Sequence, residues 1–368
     1  VVGLTGLGRK MAEKIAASLE NFRKHQGRFL LSEADVLIQP LVHHMEAAPG
    51  VERVEVAGSY RRRRETVGDI DLLVLATGGG AGVMDHFRSY PGAQRVEAAG
   101  ETKGRIVLRS GLPVDLRVVP EDSYGAALHY FTGSKEHNVA LRSLGVRKGL
   151  KISEYGVFAS GNGETGEIAE DQRLGGEEEE DVFRSLGMPW IPPVLRENRG
   201  ELEAAGRGEL PELLTMKDMR GDLQMHSTWS DGANSLEEMV RACRDRGYEY
   251  LAVTDHSRSV TVAGGLTPER VLQQWEEMEE VQQRVEGIHL FRSLEVDILK
   301  DGSLDMPEEI LDGLDLVLVS VHTFMNITIT EMTERVIRAL EHPRVDILGH
   351  PTGRILNRRQ PFALDVEA

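Results

Sequence analysis

Residues 58–76 read GSYRRRRETVGDIDLLVLA. A glycine-serine pair precedes four arginines, Arg61 to Arg64, and two aspartates, Asp69 and Asp71, stand at the mouth of an apolar run. Side chains two apart on a strand point to the same side, about 6.6–6.8 Å apart along it. Asp69 and Asp71 therefore share a face, and their mutual repulsion calls for cations. Hard divalent ions take carboxylate and phosphate oxygens as ligands. A third carboxylate, Asp115 in PVDLRVV, lies in a second strand-like stretch that a neighbouring strand position would bring alongside. Three carboxylates on adjacent strands can hold two metals about 3.5–4 Å apart, the spacing that activates one oxygen and stabilises the leaving one in in-line displacement. The pattern predicts metals on Asp69, Asp71 and Asp115, a triphosphate on the metals, and Ser59 with one arginine of the run supporting the phosphates. Two or three of the four arginines are expected to be solvated.

Further along, VERVEVAGS, RIVLRS and PVDLRVVP join DIDLLVLA as strand-like segments. A sheet assembled from separated pieces is the pattern of an α/β or α+β catalytic domain. Upstream, VVGLTGLGRKMAEKIAASLENFRKH reads as a Gly-rich turn and a helix with Met11, Ile15 and Leu19 at helical spacing. A second helical pattern is expected to start at Ser32 as N-cap. Between 131 and 200 the signals are mixed, with an acidic run EEEED and a Pro-rich MPWIPP, and 201–218 reads as a linker. Beyond Gly221 apolar runs such as YEYLAVTDH, HLFRSLEVD, LDLVLVSVH and VDILGH alternate with helical stretches, which predicts a parallel sheet or barrel.

A chain of 368 residues is too long for one ordinary core, and 40% hydrophobic with 28% charged residues describes a soluble globular protein. No 18-residue apolar run and no secretory segment is present, so neither a membrane span nor export is expected. The single cysteine, Cys243, cannot form an intramolecular disulfide, and a reducing cytoplasm is the expected compartment. The net charge of −17 hides an asymmetry: residues 1–150 carry 21 Lys/Arg against 17 Asp/Glu, and the remainder 22 against 43. Only the first half is suited to lie on phosphates.

The motifs GSYRR (58–62), GDID (68–71), VDLR (114–117) and YFTGS (130–134) resemble those of the family X DNA polymerases, the polymerase β group of nucleotidyltransferases. The resemblance covers residues 1 to about 200. It implies Asp69, Asp71 and Asp115 as catalytic ligands for Mg²⁺ or Mn²⁺, with Asp115 also helping to deprotonate a primer 3′-hydroxyl. Gly58, Ser59, Arg62 and Gly68 fall on triphosphate-contacting positions. Tyr130 and Phe131 would flank a turn at Gly133 against the sugar of an incoming deoxynucleoside triphosphate. Asn138 would offer an amide to a base edge, and Arg142 would reach the template. Val139 departs from polymerase β, which has a basic residue there, so template contact at that position is expected to be weaker or apolar. GLTGLGRKMAEKI resembles a helix-hairpin-helix whose Gly6 and Gly8 present backbone N–H groups to a DNA phosphate. The family's lyase domain would lie upstream, and no lyase chemistry is expected of these residues.

In the acidic half, His226 and Asp231 lie in DLQMHSTWSDG, while His256, Glu295, His322 and His350 end successive apolar strand candidates. In β/α barrels that end carries the chemistry. Imidazoles mixed with carboxylates suit Zn²⁺ or Mn²⁺, and several metals together can generate a hydroxide for phosphoester cleavage. This half resembles the PHP (polymerase and histidinol phosphatase) domain of bacterial family X polymerases, a distorted seven-stranded barrel, and the resemblance implies metal-dependent 3′-to-5′ exonuclease activity. All six residues match ligand positions. Gln224 replaces the first histidine of the usual His-x-His, and the terminal Asp-x-His motif is absent from these residues, so the barrel is expected to be incomplete and its nuclease weak if this is the whole chain.

The expected architecture is therefore a multidomain α/β chain. It comprises a helical DNA-binding subdomain (1–48), a nucleotidyltransferase palm (49–130), a nucleotide-selection subdomain (131–200), the linker and a truncated PHP domain (219–368). The expected activity is short-gap filling in DNA repair on gapped or primer-template DNA, by a cytoplasmic, nucleoid-associated monomer. Two other functions share parts of the pattern. A small-molecule nucleotidyltransferase needs GS and DxD but neither YFTGS, Asn138 nor a hairpin clamp; a non-catalytic DNA-end scaffold has no need of an intact aspartate triad.

Overall fold

The computed structural model describes residues 27–159 and 172–368. The hairpin with Gly6 and Gly8 lies outside them. The chain divides into two compact units, 1–212 and 213–368.

The first unit opens with strand β1 (Phe29–Leu30) and helix α1 (Leu31–Glu46), followed by β2 (Val51–Val56), a short α2 (Gly58–Arg61), β3 (Thr66–Val67) and β4 (Ile70–Ala76). Helix α3 (Ala81–Arg88) then leads to β5 (Ala93–Ala99), β6 (Lys103–Leu108) and β7 (Pro113–Val119). Five of these strands form one mixed sheet in the order β2-β4-β7-β6-β5, with only β4 and β7 parallel. The alternation in β4 decides how the sheet is covered. Ile70, Leu72 and Val74 face Val114, Leu116, Ile106 and the apolar sides of α1 and α3. Asp71, Leu73 and Leu75 face the other way, where Leu73 and Leu75 pack against Tyr124, Ala127 and Leu128. Burying such a side chain contributes about 2 kcal/mol, so a one-residue slip that turned the aspartates into the first core is strongly disfavoured.

Helix α1 buries Ala34, Ile38, Leu41 and Met45 in this core. It is part of the sheet domain rather than of a separate helical subdomain ending at 48. Its N-cap is Leu30, not Ser32; the Leu30 N–H donates to the Glu33 carboxylate at 2.9 Å, a bond Ser32 has no need to make.

The unit continues with α4 (Tyr124–Thr132), α5 (Lys135–Arg147), the antiparallel strands β8 (Leu150–Ser153), β9 (Gly156–Ala159) and β10 (Arg173–Gly175), α6 (Glu179–Ser185) and α7 (Glu201–Arg207). Leu141, Ile152, Val157, Val182, Phe183 and Ile191 build its core, together with Leu202 and Ala205. The linker expected over 201–218 therefore starts later, because α7 inserts two apolar residues into this core.

The second unit runs β11 (Gly221–Met225), α8 (Leu236–Asp245), β12 (Tyr250–Val253), α9 (Pro268–Arg284), β13 (His289–Asp297), α10 (Glu308–Gly313), β14 (Leu316–Ser320), α11 (Ile329–Leu340) and β15 (Ile347–Leu348). Its five strands are parallel and paired in chain order. Helices α8 and α11 start at Ser235 and Thr328, whose hydroxyls accept from the backbone three residues on while Glu238 and Glu331 reach back. These capping boxes fix where each strand-to-helix loop ends. Among the described residues no helix is long and apolar enough to cross a membrane.

Candidate functional site

The parallel pairing of β4 and β7 sets Asp71 directly opposite Asp115. Directly paired residues point to the same side of a sheet, so Asp71 and Asp115 share a face, with exposed Asp69 just before the strand. Burial, then the charges of Asp69 and Asp115, push the Asp71 carboxyl up to about 7. Asp115 is raised as well, by burial first, with Arg105 opposing and Asp69 adding to the rise. Carboxylates held this close, with oxygen-only ligands, fit divalent cations. Gly58 is needed here for space: it has φ +62°, and a Cβ on it would overlap Asp71 Oδ2.

Beside the carboxylates, α2 carries Ser59 and leads into the arginine run. Two of these arginines, Arg63 and Arg64, are exposed, within the two or three expected, and the first two are paired. Arg61 makes a bidentate pair with Glu179 (2.6 and 2.9 Å) and donates to Thr132 Oγ1 at 2.7 Å. Arg62 donates to Glu197 at 2.9 Å and to the Thr132 carbonyl at 2.5 Å. Gly133 follows with φ +68°, and a Cβ there would press on the Arg62 guanidinium at 3.1 Å. Gly68 is approached just as closely by Arg28, whose guanidinium also binds Thr66. Tyr130 and Phe131 meet edge to face at 5.2 Å between ring centroids, and Arg117 lies 4.5 Å over Phe131. Asn138 is buried; its amide donates to the Tyr130 carbonyl at 2.7 Å and its Oδ1 has no protein partner. Val139 and Arg142 are exposed one and four residues on.

In the second unit, Glu295 near the end of β13 and the loops after β11, β12, β14 and β15 bring Glu295, His226, His256, His322 and His350 together. His226 thus also stands at a strand end, which its sequence setting did not suggest. Buried Glu295 is the hub. Its Oε2 lies 3.4 Å from His226 and 3.6 Å from His256, and its Oε1 lies 3.4 Å from His322 and 2.8 Å from His350. Two groups of three potential ligand atoms, each within 4.8 Å, share this one carboxylate. Burial alone would raise Glu295, but the His350 and Ser320 hydrogen bonds and the neighbouring imidazoles bring it to about 2. Glu295 Oε2, His226 Nδ1 and His256 Nδ1 are buried without hydrogen-bond partners. Buried orphans of this kind are costly unless something binds them, and an imidazole-carboxylate donor set suits a transition metal. Asp231 stands at the rim, 3.7 Å from both His226 and His256. Gln224 is exposed, its amide 3.4 Å from where a Cβ on Gly349 would sit, next to His350.

Comparison with known proteins agrees with both halves. The description "DNA polymerase beta thumb" matches residues 127–197, and "PHP domain" matches residues 222–356. The DNA polymerase/3′-5′ exonuclease PolX of Bacillus subtilis is 38% identical over 369 residues, covering 100% of this chain and 63% of that protein. The chain is similar to family X polymerases that carry a PHP domain. It spans less than two thirds of the length of this relative. DNA polymerase lambda of Rattus norvegicus is 30% identical over 159 residues, 38% of this chain and 28% of that one. A probable phosphatase of Thermoanaerobacter sp. (strain X514) is 29% identical over 151 residues, 40% of this chain and 57% of that one.

Several supporting residues escaped the sequence reading. Asp255, fully buried, accepts from Ser227 N–H and hydroxyl, Ser230 and Gln274, and so pins the loop after His226. Asp297 accepts from the His322 backbone at 2.9 Å and lies 3.2 Å from its Nδ1, which turns Nε2 toward Glu295. The signal for Asp297 was present, since Glu295 and Asp297 repeat the two-residue spacing of Asp69 and Asp71. Glu179, Glu197 and Arg105 left no comparable trace.

Proposed function

We propose that this chain is a DNA-directed DNA polymerase that fills short gaps, with a PHP domain acting as a 3′-to-5′ exonuclease. The observation that carries the first half is the in-register pairing of Asp71 with Asp115 two residues beyond Asp69. Asp69, Asp71 and Asp115 would hold Mg²⁺ or Mn²⁺; His226, Asp231, His256, Glu295, His322 and His350 would hold Zn²⁺ or Mn²⁺. Bound there, such ions supply charge neutralisation on phosphate oxygens and ease deprotonation of an oxygen nucleophile.

The chain's own residues do the rest. Asp115 takes the proton of the primer 3′-hydroxyl on a carboxylate oxygen. Ser59, Gly58 and Gly68 line the triphosphate, and Arg62 exchanges Glu197 for a phosphate oxygen. The Gly133 turn after Phe131 would set backbone against the sugar and disfavour a 2′-hydroxyl, with Asn138 and Arg142 serving the base edge and the template. In the PHP site Glu295 and the four histidines position the scissile phosphate, while Asp297 keeps His322 in one tautomer.

Extension of a gapped primer-template in Mg²⁺ or Mn²⁺ is the test. Asp115→Asn abolishes extension and leaves 3′-nucleotide release intact; Glu295→Gln does the reverse. Wild-type protein that fails to extend the primer would refute the polymerase reading.

A further inference from the structure

Strand β6 places Arg105 directly across from Asp115, so Asp71, Asp115 and Arg105 form a row across three adjacent strands on one face of the sheet. The Arg105 guanidinium donates to Asp115 Oδ2 at 2.7 Å. Its Nε lies 3.2 Å from the Glu97 carboxylate on β5, on the side away from the aspartates. The Arg105 side chain is 37% exposed and that of Glu97 36%. The cation thus bridges two partly exposed carboxylates, and Glu97 keeps its other oxygen on Arg95 at 2.7 Å, so releasing Asp115 leaves Arg105 on a partner it already holds. A guanidinium keeps its charge at every accessible pH, so it leaves Asp115 only by moving.

We propose that Arg105 is a resident counter-cation that competes with a divalent ion for Asp115, and that Glu97 is the carboxylate that receives it when the ion binds. The proposal rests on the reading of the three aspartates as metal ligands. Of those carboxylates Asp115 alone has a guanidinium on one of its oxygens in this structure; Asp71 has Gly58 against it and Asp69 is exposed. An ion that needs only Asp69, Asp71 and nucleotide phosphates meets no such competitor. The ion that needs Asp115 does, and Arg105 weakens its binding. Arg105 also offsets charge in the ion-free sheet, where Asp71 and Asp115 would otherwise face each other without a partner on either.

Mn²⁺ binding to the full chain, read from the free-ion paramagnetic resonance signal, tests this without any turnover. Binding lost in Asp115→Asn defines the ions that depend on the palm, apart from those of the PHP site. Arg105→Met is expected to tighten that component about two- to fivefold, the size of effect a partly exposed ion pair supports. It is also expected to lower the melting temperature in EDTA and to recover it in Mn²⁺. Glu97→Gln, which leaves the fold's core untouched, is expected to weaken the same component, since Arg105 then has only Asp115 to hold. Asp115-dependent binding that is unchanged or weaker in Arg105→Met, or unchanged in Glu97→Gln, overturns the competition while leaving the metal site standing. No Asp115-dependent binding in wild type removes the metal reading and this proposal together.

Discussion

Glu295 is the one carboxylate whose two oxygens face different histidine pairs, and that asymmetry separates its role from theirs. Oε2 serves His226 and His256, while Oε1 serves His322 and His350. Removing one imidazole leaves the other group with its full donor set, whereas removing the shared charge weakens both. Purified protein analysed for transition metal should therefore lose about half its content in His350→Ala and nearly all of it in Glu295→Gln. Equal losses in the two variants would mean that the two groups are not bridged. Both residues were legible in the sequence because each ends an apolar strand. Asp255 was not, because a carboxylate that holds backbone and hydroxyl donors has the same local spelling as one that holds a metal.

At the scale of elements, β4 and helix α1 were readable, α1 only with its cap placed two residues late. DIDLLVLA carries its own alternation, so its two faces follow from the sequence alone. The register of β6 against β7 does not: nothing in KGRIVL says that Arg105 rather than Lys103 stands across from Asp115. The stretch from 131 to 200 was opaque for a related reason. Its organising residue, Glu179, is fastened to Arg61, 118 positions upstream, and to Arg196 and Trp190 (2.6 and 2.8 Å), and such a hub leaves no periodic trace. Burial works to raise Glu179, but the Arg61 hydrogen bonds and the Arg196 charge hold it at about 2, against 4.5 ordinarily. An acid whose native pKa lies below its unfolded one stabilises the fold above the unfolded value and loses that contribution as pH falls toward the native value. Glu179→Gln should thus lower the unfolding free energy by about 3 kcal/mol at neutral pH. The gap from wild type should close between pH 4.5 and about 2 in denaturant titrations. A gap that persisted undiminished at the acid end would assign Glu179 a packing role instead.

Across the whole molecule the two halves differ in charge more than in size, and this bears on how the chain would meet DNA under the proposed function. The 22 Lys/Arg beyond residue 150 stand against 43 Asp/Glu, so that part repels a polyanion while the first 150 residues, with 21 against 17, do not. On the proposed function, affinity would come from a limited set of cations in the first unit, each displacing counterions from a phosphate, and the logarithm of the binding constant would fall with the logarithm of salt by about 0.9 per contact. Arg142 is exposed on α5 beyond buried Asn138, where a template backbone would run, and its Nε donates only to the Asn138 carbonyl at 3.3 Å, a weak hold that phosphate can replace. Arg142→Ala should therefore weaken binding to gapped DNA and reduce the salt slope by roughly one, measured by fluorescence anisotropy between 50 and 200 mM salt. Glu295→Gln, in the acidic half, should leave the slope where it is. A slope that responded to Glu295→Gln and not to Arg142→Ala would place the DNA on the PHP domain, against the sign of its charge, and the assignment of the two halves would have to be exchanged.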